Sequence, residues 1–132
     1  MARILVIDDE QYIRTALREV LEREGFEVRA AGDGKKGLEL LETEGADLVI
    51  TDVIMPGMDG VATLEQIKQN HPDIPVIVIS GGGNIAPLEY EPGAISTSAY
   101  LASAAKAGAS CTLTKPFNRQ ELVSAVSDLL SA

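Results

Sequence analysis

Residues 4–10 read ILVIDDE, and the join between Ile7 and Asp8 decides the fold. Ile4, Leu5, Val6 and Ile7 form an apolar run with no polar alternation, the signature of a strand buried on both faces. Asp8 and Asp9 follow where that strand emerges. Adjacent anions at the mouth of an apolar core repel each other and resist desolvation. A divalent cation is the usual compensation.

Working outward from this stretch, apolar strands alternate with amphipathic helices. Residues 11–24 place Ile13, Ala16, Leu17, Val20 and Leu21 at helical spacing, and Gly25 stops that helix. Residues 26–31 read as a second, weaker strand, and residues 33–44 as a helix carrying Leu38, Leu40 and Leu41. Residues 47–52 contain LVIT, a third buried strand. Residues 61–70 carry Leu64 and Ile67 and end before the His71-Pro72 breaker. Residues 74–80 contain PVIVIS, the fourth strand. Residues 98–107 are helical by composition and residues 109–114 form a short fifth strand. Residues 118–130 form an amphipathic helix with Leu122, Val123, Val126, Leu129 and Leu130.

This alternation predicts an α/β fold with right-handed crossovers, a doubly wound parallel sheet covered by helices on both faces. Sites in such sheets gather at the carboxyl ends of the strands. The first strand ends at Asp8 and Asp9, the third at Asp52, the fourth at Ser80 and the fifth at Lys115. Three acids, a hydroxyl and a lysine at one sheet edge are hard to obtain by chance.

Composition narrows the classes. A chain of 132 residues makes one domain, with 45% hydrophobic residues to supply its core. The net charge of −9 argues against a nucleic-acid surface, which needs clustered Lys and Arg. No apolar run reaches membrane-spanning length, and the opening MARILVIDDE is a strand followed by acids, not a signal peptide. The lone cysteine, Cys111, excludes an internal disulfide, fits a reducing cytoplasm and reads as a small buried hydrophobe.

Four motifs, in this order, resemble the receiver domain of two-component response regulators, of the stand-alone chemotaxis-regulator kind. They are Asp8-Asp9, DVIMPGMDG at residues 52–60, Ser80 after VIVI, and Lys115-Pro116-Phe117. The resemblance implies a flavodoxin-like sheet of five strands in the order 2-1-3-4-5. It makes residues 1–132 one receiver domain and Asp52 its phosphoryl acceptor. It gives Mg²⁺ to Asp9 directly, to Asp8 directly or through water, to Asp52, and to the backbone carbonyl of Ile54. Lys115 and Ser80 would meet phosphoryl oxygens, with a cis peptide before Pro116 aiming the lysine. The implied donor is a histidine kinase or histidine phosphotransfer protein, the readout an unidentified downstream protein, and the setting the cytoplasm, with no direct nucleic-acid or membrane contact.

The residue types suit those roles. A carboxylate attacking phosphorus gives an acyl phosphate. Magnesium takes oxygen ligands and keeps several waters. A lysine supplies a compact cation for a phosphoryl oxygen. Phosphorylation adds roughly −1.5 to −2 charges, enough to rearrange the loops that satisfy it. The chain is thus expected to act as a switch rather than an enzyme, with slow self-dephosphorylation, because apolar Ile54 stands where a polar group would orient water.

Two departures from the family pattern stand out. The stretch after Ser80 is longer than usual, giving an extended loop at about residues 81–97 that reshapes partner binding or lids the site. Its Gly81-Gly82-Gly83 resembles a phosphate cradle but lacks a following Gly-Lys-Ser/Thr, and reads as a mobile loop. Thr112 stands where the family often carries an aromatic switch residue. Two alternatives stay open: a receiver-like binding module that ignores phosphate, and a metal-dependent phosphatase, which would want an acid where Ile54 stands. With no further domain after the last helix, stand-alone action is the simplest expectation, and an excised piece of a larger regulator the other.

Overall fold

A computed structural model describes residues 2–52, 60–80, 108–114 and 118–131. Within them run β1 (Arg3–Ile7), α1 (Gln11–Arg23), β2 (Glu27–Ala31), α2 (Gly34–Glu44), β3 (Leu48–Asp52), α3 (Gly60–Asn70), β4 (Val76–Ser80), β5 (Cys111–Thr114) and α4 (Arg119–Ser131). The strands form one parallel sheet in the order β2-β1-β3-β4-β5. The expected helix over residues 98–107, the loop over residues 81–97 with its glycine triplet, and the Pro116 peptide lie outside the described residues.

Side-chain alternation along the strands divides the core in two. Leu5, Ile7, Val49, Val76 and Val78 face one way and pack with Leu41 of α2 and Leu64 and Ile67 of α3. Ile4, Val6, Leu48, Ile50, Ile77 and Ile79 face the other way, against Leu17 and Leu21 of α1 and Leu122 and Val126 of α4. A sheet covered on both faces needs apolar residues at both parities, which is why these strands read as unbroken runs. Each large side chain removed from water contributes roughly 1.5–3 kcal/mol.

Local chemistry sets the ends of the elements. Gly25, at φ +92°, takes the left-handed turn after α1 that residues with a Cβ avoid. Phe26 donates its N–H to Leu21 O, so it closes the helix and β2 starts one residue later than the sequence suggests. Asp33 caps α2 by accepting from Lys36 N at 2.8 Å and is not itself helical. Asn118 and Glu121 cap α4 reciprocally: Asn118 Oδ1 accepts from Glu121 N, and Glu121 Oε1 accepts from Asn118 N. β4 starts at Val76 rather than at residue 74, because Ile74 N–H turns back to His71 O. β5 starts at Cys111, after Ser110 has exchanged hydrogen bonds with the Val76 backbone. Ala16 lies exposed, outside the apolar stripe. Cys111 is only partly buried, against the α1 and α4 side of the core.

Gly37 sets how closely α2 approaches the sheet. A Cβ placed there would lie 2.7 Å from Ile7 Cγ1 and closer still to Ile7 Cδ1. Ile7 is itself packed into the core immediately before Asp8. Gly37→Ala is therefore expected to destabilise the fold by about 1–2 kcal/mol, because overpacking exceeds the helix-propensity gain of alanine. Urea unfolding checks this, and Ile7→Val in the same chain, which removes Cδ1, should recover part of the loss.

Candidate functional site

The candidate site is a product of strand register. β1 and β3 pair as Ile4↔Leu48 through Ile7↔Thr51, so one further step sets Asp8 beside Asp52. Asp8 shares its parity with Ile4 and Val6, and Asp52 with Leu48 and Ile50, so both fall on the same side of the sheet. Parallel neighbours run about 5 Å apart, close enough for two carboxylates to share one ligand. Asp9 follows at the start of the β1–α1 connection. Carboxylate oxygens of Asp8, Asp9 and Asp52 all lie within 4.8 Å of one another.

Burial differs among the three. Asp8 is 1% exposed and Asp52 4%, whereas Asp9 is open to solvent. Two charges 4.8 Å apart repel by about 3 kcal/mol at an effective dielectric near 20. A cation shared by the three acids would relieve that repulsion. The donor set is all oxygen, with two buried ligands and one exposed, which fits a magnesium ion that keeps several waters.

The backbone around Asp8 is tightly held. Its N–H donates to Ala31 O at 3.1 Å, carrying the β1–β2 ladder one residue past the strand. Its Oδ1 accepts from Glu10 N at 2.9 Å, a local turn rather than a helix cap, since Glu10 is the cap of α1. Its carbonyl accepts from Arg14 Nη1 at 2.7 Å. In β3, Thr51 Oγ1 donates to Asp52 O at 3.0 Å. Sequence reasoning passed over Arg14 and the hydroxyl of Thr51. The signal for Arg14 was there: it lies three and seven residues before Leu17 and Leu21, on the helix face turned to the sheet, where a cation needs a partner.

The structure brings Asp8, Asp9 and Asp52 together. Ser80 ends β4 and pairs in register with Thr114, the last residue of β5. Lys115 and Ile54 lie outside the described residues. Thr112 is exposed on β5. His71 sits away from the acids, at the end of α3, with Nε2 2.8 Å from Glu42 Oε1 of α2.

The sequence pattern described as "Response regulator receiver domain" matches residues 4–90. This chain belongs to that family. Receiver domains are the signalling modules of two-component systems rather than conventional enzymes. The receiver domain is 36% identical to the transcriptional regulatory protein CpxR of Escherichia coli K12 over 98% of its own length and 50% of that protein's. It thus spans about half the length of the curated relatives it matches. A crystal structure of a response regulator receiver domain protein from Clostridium thermocellum is 34% identical, with a TM-score of 0.80 over 99% of this chain and 95% of that one. The receiver domain of NtrX from Brucella abortus is 35% identical, with a TM-score of 0.82 over 98% of both chains. Among the described residues, no helix of the receiver domain is long and apolar enough to cross a membrane.

Proposed function

We propose that Asp52 accepts a phosphoryl group from a histidine kinase or histidine phosphotransfer protein, and that this modification switches the binding of a downstream protein. The convergence of the Asp8, Asp9 and Asp52 carboxylates carries this reading. Asp52 attacks phosphorus as the phosphorus–nitrogen bond of the donor phosphohistidine breaks; the imidazole leaves with the electron pair and takes up a proton. Asp9, Asp8 and Asp52, with the Ile54 carbonyl that the family resemblance supplies, hold Mg²⁺. When bound, the ion neutralises charge on the transferred group. Lys115 and Ser80 receive phosphoryl oxygens. Burial of Asp52 limits water around the carboxylate, and apolar Ile54 offers nothing to orient an attacking water, so the acyl phosphate hydrolyses slowly.

Residues 1–132 act as one receiver domain, with the extended stretch at about residues 81–97 available to shape partner contact. Readout is by protein contact in the cytoplasm, since a net charge of −9 disfavours direct nucleic-acid contact by this segment. A coupling of about 1–3 kcal/mol between phosphorylation and partner binding changes affinity roughly 5–150-fold.

Incubating the full chain with Mg²⁺ and acetyl phosphate, then mapping the label by mass spectrometry, tests the reading. One phosphoryl group on the peptide containing Asp52, absent when the metal is chelated, is the expected result. Labelling at His71, or none under conditions where Mg²⁺ binds, overturns it.

A further inference from the structure

We propose that Arg14 is a positioning residue for the acidic site, acting through the peptide that joins Asp8 to Asp9. This rests on the proposed Mg²⁺ and phosphoryl site and adds a residue to it. Arg14 lies in the first turn of α1, its N–H bonded to Glu10 O. From there its guanidinium reaches back six residues, and Nη1 donates to Asp8 O at 2.7 Å. A peptide unit is planar, so holding the Asp8 carbonyl also fixes the Asp9 N–H and the position of Asp9 Cα, from which the exposed carboxylate departs. The other side of Asp8 is already held by its N–H bond to Ala31 O. The Glu10 N–H bond to Asp8 Oδ1 holds the peptide after Asp9, and Arg14 holds the one before it, so the two together fix the exposed acid relative to the buried ones.

The guanidinium is seated as well as bonded. A Cβ at Gly32, in the β2–α2 turn, would lie 3.3 Å from Arg14 Nη1, 3.7 Å from Cζ and 4.0 Å from Nη2. The group therefore lies close to the Gly32 backbone, where an added methyl would make it give way by a few tenths of an ångström. Its permanent charge and several donors suit this place, where one donor is committed to the Asp8 carbonyl. In this role Arg14 acts through the Asp8 main-chain carbonyl and sets the spacing of the carboxylates that would meet the metal.

Mg²⁺ titration of the full chain by calorimetry tests this, at a temperature well below unfolding. Arg14→Met should weaken Mg²⁺ binding about 10–100-fold, the scale for residues that orient metal ligands. Arg14→Lys keeps a donor for Asp8 O and should retain most of the affinity. Gly32→Ala, which crowds the guanidinium without touching an acid, should weaken binding in the same direction as Arg14→Met. A purely structural Arg14 would lower the melting temperature and leave Mg²⁺ affinity unmoved, and that outcome overturns the proposal. If Arg14→Met does not fold, unchanged affinity in Gly32→Ala overturns it alone. Failure of the wild-type chain to bind Mg²⁺ would instead overturn the underlying site.

Discussion

Asp52→Asn is expected to lose phosphoryl labelling on the order of 10³-fold or more, the scale of removing a covalent nucleophile. A carboxamide keeps the shape of the side chain but not its negative oxygen, and without that oxygen no acyl phosphate forms. Shape matters here because Asp52 is buried at the end of β3, where a truncation would leave a cavity. The measurement is intact mass after acetyl phosphate and Mg²⁺, with a thermal melt confirming that the variant folds. Persistent labelling would move the nucleophile to Asp8 or Asp9, whose oxygens lie within 4.8 Å of those of Asp52, and would refute the assignment.

Asp9→Ala is expected to separate metal binding from folding. Asp9 is exposed and stands beside two buried acids, so in the absence of metal its loss should leave the fold intact and, by relieving their repulsion, raise its stability. A ligand that binds only the folded chain stabilises it by about 2.7 kcal/mol at 100 times its dissociation constant. For a domain of this size that raises the melting temperature by several degrees. Wild type should show this rise with Mg²⁺. Asp9→Ala should need at least about tenfold more Mg²⁺ for the same rise, a loss of about 1.4 kcal/mol. Because the chain carries a net charge of −9, general screening by a divalent salt has to be excluded. Asp128→Ala removes an exposed acid from α4 and should leave the response intact. Equal responses in wild type and Asp9→Ala would remove Asp9 from the metal site.

Most of this molecule could be anticipated from its residues, for identifiable reasons. β1, β3 and β4 are buried on both faces, so their sequences carry no polar alternation to confuse the reading. The acids at the ends of β1 and β3 stood out because charge is rare in such surroundings. Boundaries shifted where backbone hydrogen bonds decided them: Phe26 is claimed by α1, Ile74 by the turn at His71, and Asp33 and Asn118 by the caps they make. The Asp8–Asp52 adjacency needed the pairing register, which no local pattern contains. Arg14 escaped notice because its partner is a main-chain carbonyl, and residue-type motifs register side chains only.

The rung on which Asp8 meets Asp52 limits how a chain like this one can diverge. Connections between elements tolerate added or lost residues, since their cost grows slowly with length. A single residue gained or lost within β1 or β3 has a different effect, turning every later side chain in that strand to the opposite face. After such a change in β3, Asp52 would point toward α2 and α3, and a hydrocarbon or hydroxyl would stand where its carboxylate belongs. The spacings from Ile4 to Asp8 and from Leu48 to Asp52 are therefore fixed by parity, however far the surrounding loops drift.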